Sequence, residues 1–222
     1  MPPCLVLDLD GTLVDSAPDI AAALNRLLAA RGLAPLALAD VTAMVGDGVA
    51  MLLHRAFAAR GTEPDARDAA DYAADYGSNL AVATRPYPDV ATTLQRLSEA
   101  GWRMAVCTNK PVAAAHRVLA ATGLGGFFAA IGGGDSFPVR KPDPAHLLAT
   151  LAAAGGSPSR AVMAGDHRND ILAATGAGLP GIFAAWGYGN PAMAEGAAAV
   201  ARSFADLPDI AERLLAGHTT PA

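Results

Sequence analysis

Three short apolar runs in this chain each stop abruptly in polar residues: "CLVLDLD" from Cys4, "RMAVCTN" from Arg103 and "AVMAGD" from Ala161. Their apolar stretches are nearly continuous rather than alternating, which predicts strands buried on both faces, the signature of a parallel sheet covered by helices. Helical spacing lies between and after them. "AAHRVLAATGL" is expected to close at Gly123, and "DPAHLLATLAAAGG" starts well on Asp143 and Pro144 and stops at Gly155. Strands alternating with helices predict an α/β fold, a Rossmann-like three-layer α/β/α core built on a parallel sheet.

One interval breaks the alternation. Between Asp15 and Arg85 the apolar positions recur at helical spacing, as in Ile20, Leu24, Leu27 and Leu28. "AMLLHRAFAARG" and "ARDAADYAADYGSNLA" read as further helices, with no persuasive strand among them. The expected organisation is a core of residues 1–14 and 86–222 carrying an inserted helical cap over 15–85. Arg85, Pro86, Tyr87 and Pro88 read as its exit linker, since two prolines resist both helix and sheet. No internal repeat is present; the recurring "AA" is composition.

Composition narrows the function classes. The chain has 222 residues, 52% hydrophobic and 17% charged, enough for a large core and too apolar for disorder. Its formal charge of −5 comes with no polybasic run, so neither a nucleic acid nor a membrane surface is an expected partner. The first strand starts too near Met1 for a secretion signal and no apolar run is long enough to span a bilayer, so a cytoplasmic protein is expected. Cys4 and Cys107, the two cysteines, sit in strand runs and are expected as reduced, buried thiols.

The polar residues that end the strands carry the chemistry. In open parallel sheets ligands bind beyond the carboxyl ends of the strands. There the chain places Asp8 and Asp10, then Thr108, Asn109 and Lys110, then Asp166 with Asp170 just beyond. Clustered carboxylates repel and require a cation or a shared proton. Hard oxygen donors suit magnesium, which pairs one or two carboxylates with phosphate oxygens and water. A helix starting near Pro111 aims free N–H groups at the same place and would welcome an anion. Asp8 and Asp10, one residue apart, can divide labour as nucleophile and acid. Gly11 lets the backbone turn closely, and Thr12 is expected to hydrogen-bond back to Asp10.

"DLDGTLVDS", "VCTNK", "RKPDP" and "GDHRND" resemble, in order and spacing, the four motifs of the haloacid dehalogenase superfamily, over nearly the whole chain. Within it, "YPDV", "TNKP", "VGDGVAMLLHRAF" and "WGYG" are most similar to the phosphoglycolate phosphatases. The resemblance implies catalytic roles for Asp8, Asp10, Thr108 and Lys141. Asp8 would form an aspartyl phosphate, and Asp10 would serve as acid and then as base. Thr108 would hold a phosphate oxygen, assisted by the backbone of Asn109, and Lys141 would offset charge. Magnesium would be bound by Asp8, by Asp10 through its carbonyl, by Asp166 and by Asp170. Substrate contacts are expected from Thr12, Asn109 and the cap turn Gly46, Asp47 and Gly48, with Arg55 a candidate for a substrate carboxylate.

The implied substrate is a small phosphorylated metabolite, 2-phosphoglycolate first, and the expected assembly is a monomer or homodimer. Phosphatases of sugar phosphates or pyrophosphate, and a phosphomutase of the β-phosphoglucomutase kind, share much of the pattern, and a binding module without turnover is a further reading. The second acid Asp10 argues against a dehalogenase proper. His167 departs from the family pattern, where a small hydroxyl residue often follows "GD", and receives no role. His54, His116, His146 and His218 share no ligand spacing and are expected on helix surfaces. Trp102 and Trp186 are expected as packing residues.

Overall fold

The computed structural model describes residues 1–217; His218 lies outside them. Strand β1 (Cys4–Leu7) leads into β2 (Val14–Asp15), and four helices follow: α1 (Ala17–Ala30), α2 (Leu38–Thr42), α3 (Val49–Ala58) and α4 (Asp68–Ser78). The chain returns through β3 (Arg85–Pro86), α5 (Val90–Glu99), β4 (Arg103–Cys107), α6 (Val112–Ala121) and β5 (Ala130–Gly132). It ends with α7 (Pro144–Ala153), β6 (Ala161–Gly165), α8 (Arg168–Gly176), β7 (Gly181–Ala184), β8 (Ala199–Ala201) and α9 (Leu207–Gly217).

The main sheet is parallel, in the order β5-β4-β1-β6-β7-β8. Alternation along each strand assigns side chains to two cores. Leu5, Leu7, Met104, Val106 and Val162 pack with residues of α5, α6 and α9, whereas Cys4, Val6, Ala105, Cys107 and Met163 pack with α7 and α8. This is the expected three-layer arrangement. Both thiols are free and buried, and burial raises them to about 11 for Cys4 and about 12 for Cys107.

A separate apolar cluster runs from Ile20 to Tyr76 and holds α1, α2, α3 and α4 together. The exit segment departs from expectation. Arg85 and Pro86 form an antiparallel pair with Val14 and Asp15, so the two crossing points of the chain make a small ribbon of their own. An edge position tolerates the proline's missing N–H. Asp19 reinforces the junction, its buried carboxylate accepting from Ala83 N, Thr84 N and Thr84 Oγ1 at 2.6 to 3.1 Å. Strands β5, β7 and β8 escape sequence reading because they are three or four residues long, rich in alanine and glycine, and show no period.

Candidate active site

The chain leaves β1 at the middle of the sheet, between β4 and β6, where the winding of the sheet reverses. Asp8 continues the ladder, its N–H donating to Ala164 O at 3.0 Å. Gly11, at φ +84°, turns the backbone so tightly against Asp166 that a Cβ there would collide with that carboxylate. Asp8 and Asp166 therefore sit at adjacent strand ends, and both are buried.

Asp8, Asp166 and Asp170 each bring a carboxylate oxygen to within 4.8 Å of the others. Lys141 is the ammonium among them, 2.9 Å from Asp8 Oδ1 and 2.6 Å from Asp170 Oδ1. Burial, and after it neighbouring acids, push Asp166 up to about 8. Burial pushes Asp8 up to about 6 despite the attraction of Lys141. Three buried acids against one cation are short of positive charge, and their hard oxygen donors fit a magnesium ion.

The support of each acid was only partly foreseen. Thr12 donates to Asp166 Oδ1 at 2.7 Å, not to Asp10, because the turn at Gly11 carries it toward β6. Thr12 is fully buried, with its hydroxyl directed to that carboxylate. Tyr188 N donates to the other Asp166 oxygen at 2.8 Å. The same tyrosine's hydroxyl donates to Asp15 Oδ1 and accepts from Ser16 N and Ala17 N, tying this late loop to the start of the cap. Asp170 closes a capping box at the start of α8 and also pairs with Lys141. His167 is the N-cap of that helix, its Nδ1 accepting from Asn169 N at 3.2 Å.

Asp10 has different company. Its carboxylate accepts from Ser16 Oγ and lies 3.0 and 3.1 Å from Lys110 Nζ. It stands outside the carboxylate cluster, so the metal contact implied for it rests on its carbonyl alone. Lys110 is buried and sits 4.6 Å from the centre of the Tyr76 ring. Burial opposes its charge, but Asp10 and the nearby tyrosines outweigh burial and hold the ammonium above the ordinary lysine range.

His146 corrects an expectation. It is fully buried rather than on a helix surface. Its Nδ1 accepts from Lys141 N at 3.2 Å, which leaves the proton on Nε2 to donate to Gly133 O at 3.0 Å. Burial lowers its pKa, in keeping with a neutral ring. The histidine thus fastens the loop that presents Lys141. Asn109 fastens it from the other side, donating to Lys141 O at 3.0 Å and to Gly46 O of the cap at 3.0 Å. The spacing to Lys141 was available in the sequence; the burial was not. His54 and His116 are exposed, Trp102 packs in the core, and Trp186 packs edge-on to Phe204 while donating to Thr12 O.

The turn before α3 reaches the strand-end loops of the main sheet. Gly46, at φ +127°, lies so close to the His167 ring that an added Cβ would stand 2.6 Å from its Cδ2. Asp47 accepts from Asn169 Nδ2 at 2.7 Å and pairs with Arg55, which also donates to Met44 O. Arg55 is therefore occupied within the cap, and neither it nor Asp47 lines the pocket. That pocket, about 240 Å³, opens onto Asp8, Asp10, Thr108, Asn109 and Lys110, with Gly46, Gly48, Leu52 and Tyr76 among its cap walls.

Comparison with known proteins places this geometry. Residues 2–178 match the model of the haloacid dehalogenase-like hydrolases. The chain is 44% identical to a phosphoglycolate phosphatase of Agrobacterium fabrum over 197 residues, 87% of this chain and 84% of that one. It is 43% identical to that of Caulobacter vibrioides over 222 residues, 98% of this chain and 94% of the other. The fold matches a crystal structure of a predicted phosphoglycolate phosphatase from Haemophilus somnus, with a TM-score of 0.86 at 31% identity over 94% of this chain and 97% of that one. CbbY from Rhodobacter sphaeroides, crystallised with phosphate, shares the fold with a TM-score of 0.80 at 24% identity, over 93% and 96% of the two chains. This chain belongs to the haloacid dehalogenase-like hydrolase family and is a phosphatase.

Proposed function

We propose that this enzyme hydrolyses small phosphomonoesters, 2-phosphoglycolate first among them, through an aspartyl phosphate on Asp8. The observation that carries the reading is the division of the two acids. Asp8 belongs to the buried cluster with Lys141, and Asp10 faces Ser16, Lys110 and the pocket. In this reading Asp8 meets the phosphate and Asp10 meets the group that departs.

Asp8 attacks phosphorus, the bond to the leaving oxygen breaks, and Asp10 delivers the proton that oxygen needs. Asp10 then takes a proton from water as the water attacks phosphorus and releases Asp8. Thr108 and the backbone N–H of Asn109 hold phosphate oxygens. Lys141, fixed by Asp170, His146 and Asn109, reduces the repulsion between Asp8 and a phosphate dianion, about 4 kcal/mol per charge pair at about 4 Å in a medium of effective dielectric about 20. Asp8, Asp166, Asp170 and the Asp10 carbonyl would hold magnesium, which supplies further charge neutralisation at phosphate. The helices between β2 and β3, taken as a cap over 15–85, would close over the substrate and exclude water. The enzyme is expected to work in the cytoplasm as a monomer or homodimer.

The test is phosphate release from a panel containing 2-phosphoglycolate, hexose phosphates and pyrophosphate, with and without chelator. Activity should vanish on chelation and return with magnesium, while calcium, which favours more ligands at longer distances, should inhibit. Full activity without metal would overturn the mechanism. A hexose phosphate or pyrophosphate ranking far above 2-phosphoglycolate would overturn the substrate alone.

A further inference from the structure

We propose that Lys110 reads the carboxylate of the leaving group, so that substrate charge is recognised by an ammonium of the core and not by an arginine of the cap. The inference rests on the substrate reading above and assigns the residue that reading lacks. In 2-phosphoglycolate the carboxylate is carried by the same carbon that bears the leaving oxygen. Wherever Asp10 meets that oxygen, the carboxylate must lie close by. The cation beside Asp10 is Lys110, at 3.0 and 3.1 Å, and it lines the pocket.

Of the other cations near the site, Lys141 and Arg55 are paired, while Arg117 and Arg140 belong to exposed residues, the Arg140 guanidinium reaching the outer face of Gly48 about 3.5 Å from where a Cβ would stand. Lys141 is held on the phosphate side by Asp8 and Asp170. Arg55 is bound to Asp47 and Met44 O within the cap. Arg117 lines the pocket from an exposed position on α6, where its guanidinium approaches Gly77. That places it at the solvent side, suited to a longer substrate.

The surroundings of Lys110 make its charge count. Beyond it the wall is apolar, with Ile20, Leu52, Tyr72 and Leu80 from the cap side. A carboxylate entering such a pocket loses water and needs a compensating donor. An ammonium supplies up to three, and Lys110 presents its charge against the face of Tyr76 rather than into bulk solvent. An uncharged alkyl group of the same size gains nothing from it.

The experiment compares 2-phosphoglycolate with ethyl phosphate, its analogue without the carboxylate, in wild type, Lys110→Met, Lys110→Gln and Lys110→Arg, each checked for folding by circular dichroism. Glycolate is tested in parallel as an inhibitor of ethyl phosphate hydrolysis. We expect kcat/KM for 2-phosphoglycolate to fall about 10- to 100-fold further than that for ethyl phosphate in the Met or Gln variant, the range for a lost hydrogen bond to a charged group. The extra loss should fall mainly on KM, glycolate inhibition should weaken alongside it, and arginine should restore part of both.

Equal losses on both esters, confined to kcat and with glycolate inhibition unchanged, would show that Lys110 only positions Asp10 and would overturn the inference. Should the Met variant not fold, the Gln and Arg variants and the glycolate inhibition carry the same comparison. A wild type that prefers hexose phosphate overturns the substrate reading instead. The inference about Lys110 is decided separately, by the difference between the two esters.

Discussion

Asp8 and Asp10 are one residue apart yet live in opposite settings, and each setting predicts a different response to amide replacement. Asp8 is crowded by Asp166 and Asp170, and burial already favours its neutral form. Asp8→Asn should therefore preserve the fold, and in metal-free buffer even raise its thermal midpoint, while abolishing turnover because an amide is a poor nucleophile. Wild-type rates in a folded variant would remove the mechanism. Asp10→Asn removes a proton carrier and the partner of Lys110. Both formation and hydrolysis of the aspartyl phosphate should slow, by about 10² to 10⁴ for a lost general acid or base. Rapid-quench trapping measures the two steps separately, and unchanged rates for both would reject the assignment.

Two elements owe their function to how they are fastened. The loop before α7 presents Lys141, and the buried His146 ring bridges Lys141 N and Gly133 O. Replacing His146 by alanine leaves both groups without their partner, at a cost of about 1 to 3 kcal/mol each. Urea denaturation should record a loss of that order and assays a lower kcat; unchanged stability would contradict the bridging role. The cap turn before α3 depends instead on the absence of a side chain. Gly46→Ala would drive a Cβ into the His167 ring from a backbone conformation that already disfavours alanine. The turn should fail to seat on Asn109 and Asn169, lowering kcat/KM while the thermal midpoint moves little. A variant with wild-type kcat/KM would show that seating this turn is dispensable.

At the scale of the whole molecule, the cluster at the ends of β1 and β6 links stability to pH and metal. Asp8 at about 6 and Asp166 at about 8 lie above their unfolded values near 4, so the native state binds protons the unfolded chain does not. Their contribution is complete below about pH 4 and is lost as pH rises through 6 to 8. His146 and His167, whose pKa values burial lowers, act in the opposite direction and strengthen the fold as pH rises through the ordinary histidine range. The difference between metal-free and magnesium-loaded protein isolates the acids. Magnesium must displace their protons, so the rise in thermal midpoint that it produces should grow between pH 5 and 8. A magnesium effect independent of pH would show that the two carboxylates do not bind it together.

Legible along the chain were the parallel α/β sheet, the run of helices that follows the first strand, and the strand-end acids. Those signals are local: continuous apolar runs, helical spacing, and four motifs whose order survives in one dimension. The sequence also located Lys141, through the motif around it. The tertiary structure decided everything that depends on which neighbours meet. Thr12 serves Asp166 because two adjacent strands end together, and Arg55 serves Asp47 because the cap turn folds back upon α3. His146 is buried because its helix face lies against the sheet, which no ligand spacing could announce. Tyr188 reaches Asp15 across 173 positions of sequence, and Lys110 reaches Asp10 across 100. Pattern along a chain reports which residues are apolar and how often they recur; partners that remote are set only when packing brings the strand ends and the cap into one place.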